Sequence, residues 1–117
     1  MENNELLKIA LNALYDKKGK NLQAIKVGDL TVLAHYFVLA SGTSSAQVKA
    51  LADEVDRKLS EKGLNPKRTE GYNGANWIVL DYIDVMFHIF HEETRQFYDL
   101  ERLWQDGEFL NVDEFIT

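Results

Sequence analysis

The sequence predicts an α/β domain of the α+β type, in which helices pack on a single mixed β-sheet. Three helical patterns and five short apolar runs follow one another as helix, strand, strand, helix, strand, strand, strand, helix. The second run, over residues 36–40, is apolar at every position, as expected of a strand whose sheet is covered on both faces. The length of 117 residues and the 45% hydrophobic content fit one compact domain.

Composition and charge exclude several classes of protein. The chain has no cysteine, so it contains neither a disulfide framework nor a thiolate metal site. No apolar run approaches the roughly 20 residues of a membrane span, and no basic signal peptide is present, which predicts a cytoplasmic protein without membrane association. The formal charge of −6 disfavours direct, sequence-specific nucleic-acid binding and favours basic protein partners, unless the acidity serves solubility alone.

The first half of the chain contains two predicted helices and two predicted strands. Apolar residues at helical spacing over 6–14 indicate the first helix, and Gly19 is the residue expected to stop it. A strand over 22–27 precedes the apolar strand already described. Ser44 and Gln47 then fit a capping box, which predicts the start of the second helix.

The second half is predicted to contain three strands and a closing helix. Gly63 ends the second helix, and residues 68–70 form a short edge strand. Residues 77–80 and 85–90 are separated by a short connection, which favours an antiparallel hairpin. A helix over 92–104 closes the domain, with two glutamates in its first turn where carboxylates suit the helix dipole. Its apolar side is predicted to carry Phe97, Leu100, Leu103 and Trp104.

The predicted domain organisation is simple. One domain spans residues 1–104, and no linker, repeat or second domain is apparent. The remaining residues, 105–117, form an acidic tail that keeps several apolar side chains. This tail is expected to pack on the domain or to take part in an interface.

The turn from Gly42 to Ser45 is the strongest candidate for catalysis. Backbone N–H groups at a helix start can hold a phosphate, and nucleotidyltransferases use a related Gly-Ser turn. Such enzymes also need converging carboxylates for two metal ions. Asp81 and Asp84 flank a predicted turn instead of sharing one strand face. A structural cap is the favoured interpretation of the turn, and a nucleotide-binding or nucleotidyl-transfer enzyme is the alternative.

Other catalytic and metal-binding arrangements find less support. His88 and His91 point to opposite faces of a strand, and the His-Glu-x-x-His helix motif is absent. His35 lies before a strand with no partner indicated by the sequence, and an exposed loop position is its simplest interpretation. The sequence therefore predicts no catalytic residue, no metal and no cofactor.

Large side chains in the hairpin and the closing helix predict a docking surface for another macromolecule. Trp, Tyr and Arg are the residue types that contribute most at protein interfaces. Strand alternation places Met86, His88 and Phe90 on one face, which predicts a half-exposed apolar surface. Trp104 is assigned to the core. The predicted surface, for a partner or a second copy, comprises Trp77, Asp81, Tyr82, Met86, His88, Glu92, Arg95, Tyr98 and Glu101.

Several separated motifs also carry a family pattern. They lie at residues 36–44, 47–50, 70–71, 77–82, 84–85 and 88–90, at Arg95, and at residues 97–104. Through these motifs the chain resembles the bacterial ribosomal silencing factor family, also called the Iojap-like family. The resemblance runs from about Leu6 to Trp104 and leaves the tail outside the pattern. Because the motifs are several and in the right order, the match is specific.

The resemblance implies a fold similar to nucleotidyltransferases but without their catalysis. It further implies binding to the large ribosomal subunit, through a ribosomal protein of the L14 type on the intersubunit face. Such binding blocks joining of the small subunit and represses translation when nutrients are scarce. Members of the family are commonly homodimers when free. The acidic charge of the chain suits a basic ribosomal-protein target.

The chain departs from the family pattern at three positions. His35 and Asn21 stand where the family usually has aspartate, and Ala46 stands where arginine is frequent. Contributions of these positions to electrostatic recognition are therefore not carried over. The pattern from Trp77 to Trp104 is unaffected.

Overall fold

The fold is built on one mixed sheet. The computed structural model describes all of residues 1–117. The elements are α1 (Asn3–Asp16), β1 (Lys20–Lys26), β2 (Tyr36–Gly42), α2 (Ser45–Ser60), β3 (Arg68–Glu70), β4 (Trp77–Asp81), β5 (Val85–His91), α3 (Glu92–Tyr98), α4 (Leu100–Leu103), β6 (Glu108–Phe109) and a 3-10 turn (Val112–Glu114). The six strands lie in the order β3-β4-β5-β2-β1-β6. Only β2 and β5 run parallel, and the predicted hairpin of β4 and β5 is confirmed. The predicted fold class is therefore confirmed.

The larger core lies under α1 and α2. It contains 21 buried residues, including Leu7, Leu11 and Leu14 from α1, and it covers one face of the sheet. The inward side chains of β5 on this face are Val85, Phe87 and Ile89, in agreement with the predicted alternation. Because β2 is covered here and also on the opposite face, its side chains are buried along nearly its whole length, as its apolar sequence predicts.

The opposite face carries a smaller core of seven buried residues. The last helical segment packs on it through Leu100, while Trp104 contacts Phe37 edge-on at a centroid distance of 5.1 Å. These contacts agree with the assignment of Trp104 to the core. Only part of this face is covered by the short helices. All three residues of β3 are exposed, and Trp77 and Val79 of β4 are only half-buried.

The prediction of one continuous closing helix is wrong. The helix breaks at Asp99, which takes the left-handed conformation with φ 49° and separates α3 from α4. The break rotates the two helices relative to each other, so that Leu100 is buried while Phe97 and Leu103 are 82% and 72% exposed. Both were expected on the apolar side of a single helix. They instead become exposed apolar side chains.

The ends of α1 and α2 follow the predicted signals with local changes. At the end of α1 it is Lys18, not Gly19, that takes the left-handed conformation. Gly19 is needed for another reason, since a Cβ there would lie 3.0 Å from the carbonyl oxygen of Leu14. At the start of α2, Ser44 Oγ accepts from the backbone N–H of Gln47 at 3.1 Å, as predicted.

The C-terminal residues add an edge to the sheet. Strand β6 pairs with β1, with Phe109 opposite Ile25. Beyond it, Phe115 packs against the larger core, and its carbonyl oxygen accepts a hydrogen bond from Asn12 Nδ2 at 2.8 Å. The backbone N–H of Thr117 donates to Asn12 Oδ1 at 3.0 Å. The packing expected for the tail is thus present, and it joins both the sheet and α1.

The turn between β4 and β5 stores backbone strain at Ile83. This exposed residue has φ 75°, a region that β-branched residues rarely adopt. Replacing it by asparagine, which tolerates this conformation, is expected to raise the free energy of unfolding by about 1 kcal/mol. Urea denaturation of Ile83→Asn measures the change. Ile83→Val keeps the branched side chain and serves as the control; an equal gain there would refute the strain.

Candidate docking surface

An exposed group of large apolar side chains lies on α3, α4 and the start of β4. We call this group, consisting of Trp77, Phe97, Tyr98 and Leu103, the aromatic surface. The Tyr98 ring lies 5.0 Å from the Trp77 ring and 5.1 Å from the Phe97 ring between centroids. Tyr98 is 54% exposed, and Trp77 is half-buried. Such a cluster of exposed aromatic residues is typical of a protein-binding surface.

Trp77 is held in place from beneath. Its ring stacks on the buried ring of Phe90 at 4.9 Å between centroids and 28° between planes. Its Nε1–H donates to Nδ1 of His88 at 3.1 Å. These contacts fix the orientation of the indole before any partner arrives, which lowers the entropy cost of binding.

His88 is buried and is not itself a surface residue. Its exposure is 6%, and burial lowers the pKa of the imidazole to about 4. The ring contacts Phe37 edge-on at 4.8 Å between centroids. The prediction that Met86, His88 and Phe90 form a half-exposed surface is therefore wrong for two of the three, because only Met86 remains partly exposed. The short helices and Trp77 cover the others.

Arg95 is also buried, at 6% exposure, and it connects three elements. From α3 its Nη1 donates to Ser41 Oγ of β2 at 2.9 Å. Its Nε and Nη2 donate to Glu101 Oε2 of α4 at 3.1 and 2.9 Å. The guanidinium therefore holds the two halves of the broken helix against the sheet. Arg95 positions the aromatic surface and does not lie on it.

A strongly polar cavity of about 610 Å³ lies beside this arginine. Its nine lining residues include no hydrophobic one: Asn21, Gln23, Ser41, Glu92, Glu93, Arg95, Gln96, Asp99 and Glu101. Four carboxylates against one guanidinium make the cavity acidic. It adjoins the aromatic surface through α3, so the surface is apolar on one side and negatively charged on the other. This arrangement suits a partner with cationic side chains.

Asp81 and Tyr82 lie away from the aromatic surface. The Asp81 carboxylate is buried, accepts from Arg68 Nη2 at 3.1 Å, and accepts from the backbone N–H of Ile83 at 2.8 Å. The Tyr82 side chain enters the larger core, where it meets Phe87 edge-on at 5.5 Å between centroids. Burial raises the pKa of the Tyr82 hydroxyl. The expectation that Tyr82 is exposed for docking is therefore wrong, because this residue follows the end of β4 with its side chain directed into the larger core.

The structure thus brings together Trp77, Tyr98, Glu92, Arg95 and Glu101, and it separates Asp81 and Tyr82 from them. Phe97 and Leu103 also belong to the aromatic surface, although helical periodicity assigned them to the apolar side of one closing helix. Their exposure follows from the left-handed conformation of Asp99, which residue spacing does not predict.

Serine side chains in and next to the turn from Gly42 to Ser45 have structural roles. Ser44 caps α2, and Ser41, which immediately precedes the turn, accepts a hydrogen bond from Arg95. Asp84 lies at the far end of the strands, because Tyr36 begins β2 beside Val85 while Gly42 ends β2 beside His91. No group of three or more His, Cys, Asp or Glu side chains is placed to hold a metal ion. The carboxylates weighed for a nucleotidyl-transfer site therefore do not meet the turn.

The three positions that depart from the family pattern have separate surroundings. Asn21 takes the left-handed conformation at an irregularity in the pairing of β1 with β2, and it lines the acidic cavity. His35 is exposed, as predicted, and its Nε2 lies 3.8 Å from Asp84 Oδ1. Ala46 is exposed in the first turn of α2. None of the three belongs to the aromatic surface.

Comparison with known proteins places the chain in a family. The model of the family described as "Ribosomal silencing factor during starvation" matches residues 1–116. The chain belongs to the ribosomal silencing factor family. The resemblance carried by the sequence motifs is thereby confirmed, and the match also takes in the C-terminal residues that the motifs leave out.

Relatives in the ribosomal silencing factor family support this placement. The ribosomal silencing factor of Halalkalibacterium halodurans is 38% identical over 117 residues, covering 100% of both chains. That of Bacillus subtilis is 35% identical, over 97% of this chain and 96% of the relative. A crystal structure of a protein from Chromobacterium violaceum superposes with a TM-score of 0.87 at 39% identity, covering 90% of this chain and 88% of that one.

No helix combines the length and the apolar character needed to cross a lipid bilayer.

Proposed function

We propose that the chain acts as a ribosomal silencing factor without enzymatic activity in the cytoplasm. It binds the large ribosomal subunit through a ribosomal protein of the L14 type on the intersubunit face. Its bulk then prevents the small subunit from joining, and translation falls under nutrient limitation. The observation that supports this proposal best is the aromatic surface beside an acidic cavity, in a chain of the ribosomal silencing factor family.

The electrostatics favour a protein target over ribosomal RNA. With a net charge of −6 and four carboxylates around the cavity, the chain repels phosphate and attracts lysine and arginine side chains. Ribosomal proteins that contact RNA carry many such cations. The aromatic surface supplies the apolar contact area, and the acidic side supplies orientation and a faster encounter. The contacts to the ribosomal protein are therefore expected at Trp77, Phe97 and Tyr98.

The proposal is tested with purified ribosomal subunits. The chain is expected to sediment with isolated large subunits and not with small subunits. When it is added before the subunits are mixed, light scattering is expected to report less joining. If the chain remains at the top of the gradient with large subunits present in excess, the proposal is refuted.

Alanine substitutions on the aromatic surface are expected to weaken this binding strongly. Tyr98→Ala removes a ring that contacts two others, and a loss of about 30-fold in affinity, equivalent to about 2 kcal/mol, is expected for such a residue. Phe97→Ala is expected to act in the same direction. Titration of large subunits with fluorescently labelled chain measures the affinity.

Val32→Ala is the matched control for these variants. Val32 is fully exposed and apolar, but it lies in the loop between β1 and β2 and outside the aromatic surface. Its substitution is expected to leave the affinity within about twofold, since surface substitutions away from an interface change little. Equal losses for Val32→Ala and Tyr98→Ala would contradict the assignment of the surface.

As the family resemblance implies, the free chain is expected to form a homodimer. Sedimentation velocity across a range of concentrations measures this state directly.

A further inference from the structure

The His88 ring presents a hydrogen-bond donor that nothing in the chain satisfies. An indole N–H can only donate, so the bond from Trp77 Nε1 requires that Nδ1 of His88 carries no proton. The proton of the neutral ring therefore lies on Nε2. This nitrogen is buried, and no atom of the chain accepts a hydrogen bond from it. Buried donors are nearly always paired in native proteins, so this one calls for an acceptor from outside the chain, either a water molecule or a group of another molecule.

The same ring borders a small cavity on the half-covered face of the sheet. The cavity has a volume of about 140 Å³ and is lined by Arg68, Glu70, Val79, Asp81, Met86 and His88. The strand register explains its shape. Glu70, Val79 and His88 lie side by side on β3, β4 and β5, and the other three residues form the adjacent row. The cavity lies between these two rows of side chains.

The walls of the cavity select for a particular chemistry. Arg68 and Asp81 neutralise each other through the 3.1 Å contact of their side chains. Glu70 makes no ion pair, so its carboxylate can accept a hydrogen bond. His88 Nε2–H lacks an acceptor and is covered in the free chain, so a shift of a lining side chain such as the half-buried Met86 is needed to expose it. A cation would face the donor, and an anion would face Glu70. A neutral group that both accepts and donates, such as a hydroxyl or an amide, suits both.

The cavity adjoins the aromatic surface through one residue. Trp77 donates to His88 on one side and contacts the Tyr98 ring on the other. Trp77 and the cavity-lining Val79 are two residues apart on β4 and share one face of the sheet, so a protein that covers Trp77 lies beside the cavity. We propose that the cavity receives a short hydroxyl or amide side chain of the ribosomal protein on which the chain docks, and that His88 Nε2–H donates to it. This inference rests on the proposed function and identifies His88 as a specificity-determining residue of that surface.

Two isosteric substitutions separate the donor from the rest of the ring. In His88→Asn, the amide oxygen takes the place of Nδ1 and can accept from Trp77, but nothing replaces Nε2. In His88→Gln, the amide nitrogen reaches the place of Nε2 and keeps a donor there, while the Trp77 indole loses its acceptor and is held by its stacking on Phe90. His88→Asn is expected to weaken binding of the full chain to large subunits about tenfold, the worth of one hydrogen bond, and His88→Gln by less than about threefold.

The outcomes of this titration are distinct. Failure of the unsubstituted chain to bind large subunits refutes the proposed function, and the inference falls with it. Tight binding of both the unsubstituted chain and His88→Asn refutes only the inference. A loss confined to His88→Asn supports it.

A third variant decides the matter if the histidine variants fold poorly. Val79 is half-buried and lines the cavity, so Val79→Phe fills the cavity without removing any buried contact. A loss of affinity of about tenfold or more is expected, since overpacking a binding site excludes its occupant. Val32→Phe, on the exposed loop, is the matched control. Unchanged binding of Val79→Phe refutes the inference.

Nuclear magnetic resonance of the free chain supplies an independent readout. Nitrogen-15 shifts distinguish the two neutral tautomers of histidine. The proton is expected on Nε2 of His88, and a proton on Nδ1 would refute the inference, because the ring would then offer no donor to the cavity.

Discussion

Replacing Arg95 by methionine is expected to lower the free energy of unfolding by about 2–3 kcal/mol, since breaking a buried ion pair leaves its partners unsatisfied. Methionine keeps the unbranched stem but removes the guanidinium. The hydroxyl of Ser41, which is fully buried, and the half-buried carboxylate of Glu101 then lose their donor. The partial exposure of Glu101 keeps the loss below that of a fully buried pair.

The substitution is also expected to weaken ribosome binding, although Arg95 is buried and does not lie on the aromatic surface. It alone connects α3 to both β2 and α4 by side-chain hydrogen bonds. Without it the segment that carries Phe97 and Tyr98 becomes mobile, and binding must restore its order at a cost in free energy. Chemical denaturation and titration of large subunits measure the two effects. Lys62→Met, at an exposed position just after α2, is the control, and a similar loss there would contradict the positioning role.

Acid is expected to destabilise the fold through His88 by about 3 kcal/mol between pH 6.5 and pH 4. Burial lowers the pKa of this imidazole from 6.5 to about 4 in the folded chain. Above pH 6.5 the ring is neutral in both the folded and the unfolded chain, so its contribution is constant. Between the two values only the unfolded chain takes up the proton, and unfolding becomes easier as the pH falls. Below pH 4 both forms are protonated, and the effect stops growing.

Urea denaturation at pH 7.0 and pH 5.0 measures this dependence, with His88→Gln as the reference. Glutamine does not titrate, so the variant is expected to lose less stability over this interval than the unsubstituted chain. Glu54 does not interfere with this comparison. The hydrogen bond from Arg57 lowers the pKa of the Glu54 carboxyl below 4.5, so its contribution to stability is lost only below the pH interval measured. Identical pH dependence in the two proteins would show that His88 titrates normally.

Sequence reasoning predicted the sheet and the helices because their signals are local. The alternation along β5 identified the faces of Val85 and Phe87, and Ser44 with Gln47 identified the start of α2. Each of these signals lies within a few residues along the chain, where periodicity and capping chemistry apply.

The placement of the candidate site was predicted only in part, because it depends on distant contacts. Arg95 is buried by its bond to Ser41, which is 54 residues away in the chain, and no local pattern indicates that pairing. Aspartate tolerates the left-handed conformation only as an exception, so the break at Asp99 had no clear signal. That break moved Phe97 from the expected core to the surface. Residue types thus indicated a candidate docking surface, while the backbone determined which side chains form it.

The two edge strands of the sheet, β3 and β6, limit how a partner can bind. At one border, β3 has three exposed residues, two of which are charged. At the other, β6 has only two residues and shields β1. Short and charged borders discourage a foreign strand from extending the sheet. A partner is therefore expected to contact side chains on a face of the sheet, which lets it keep its own folded shape. The same short edges discourage copies of this chain from joining edge to edge.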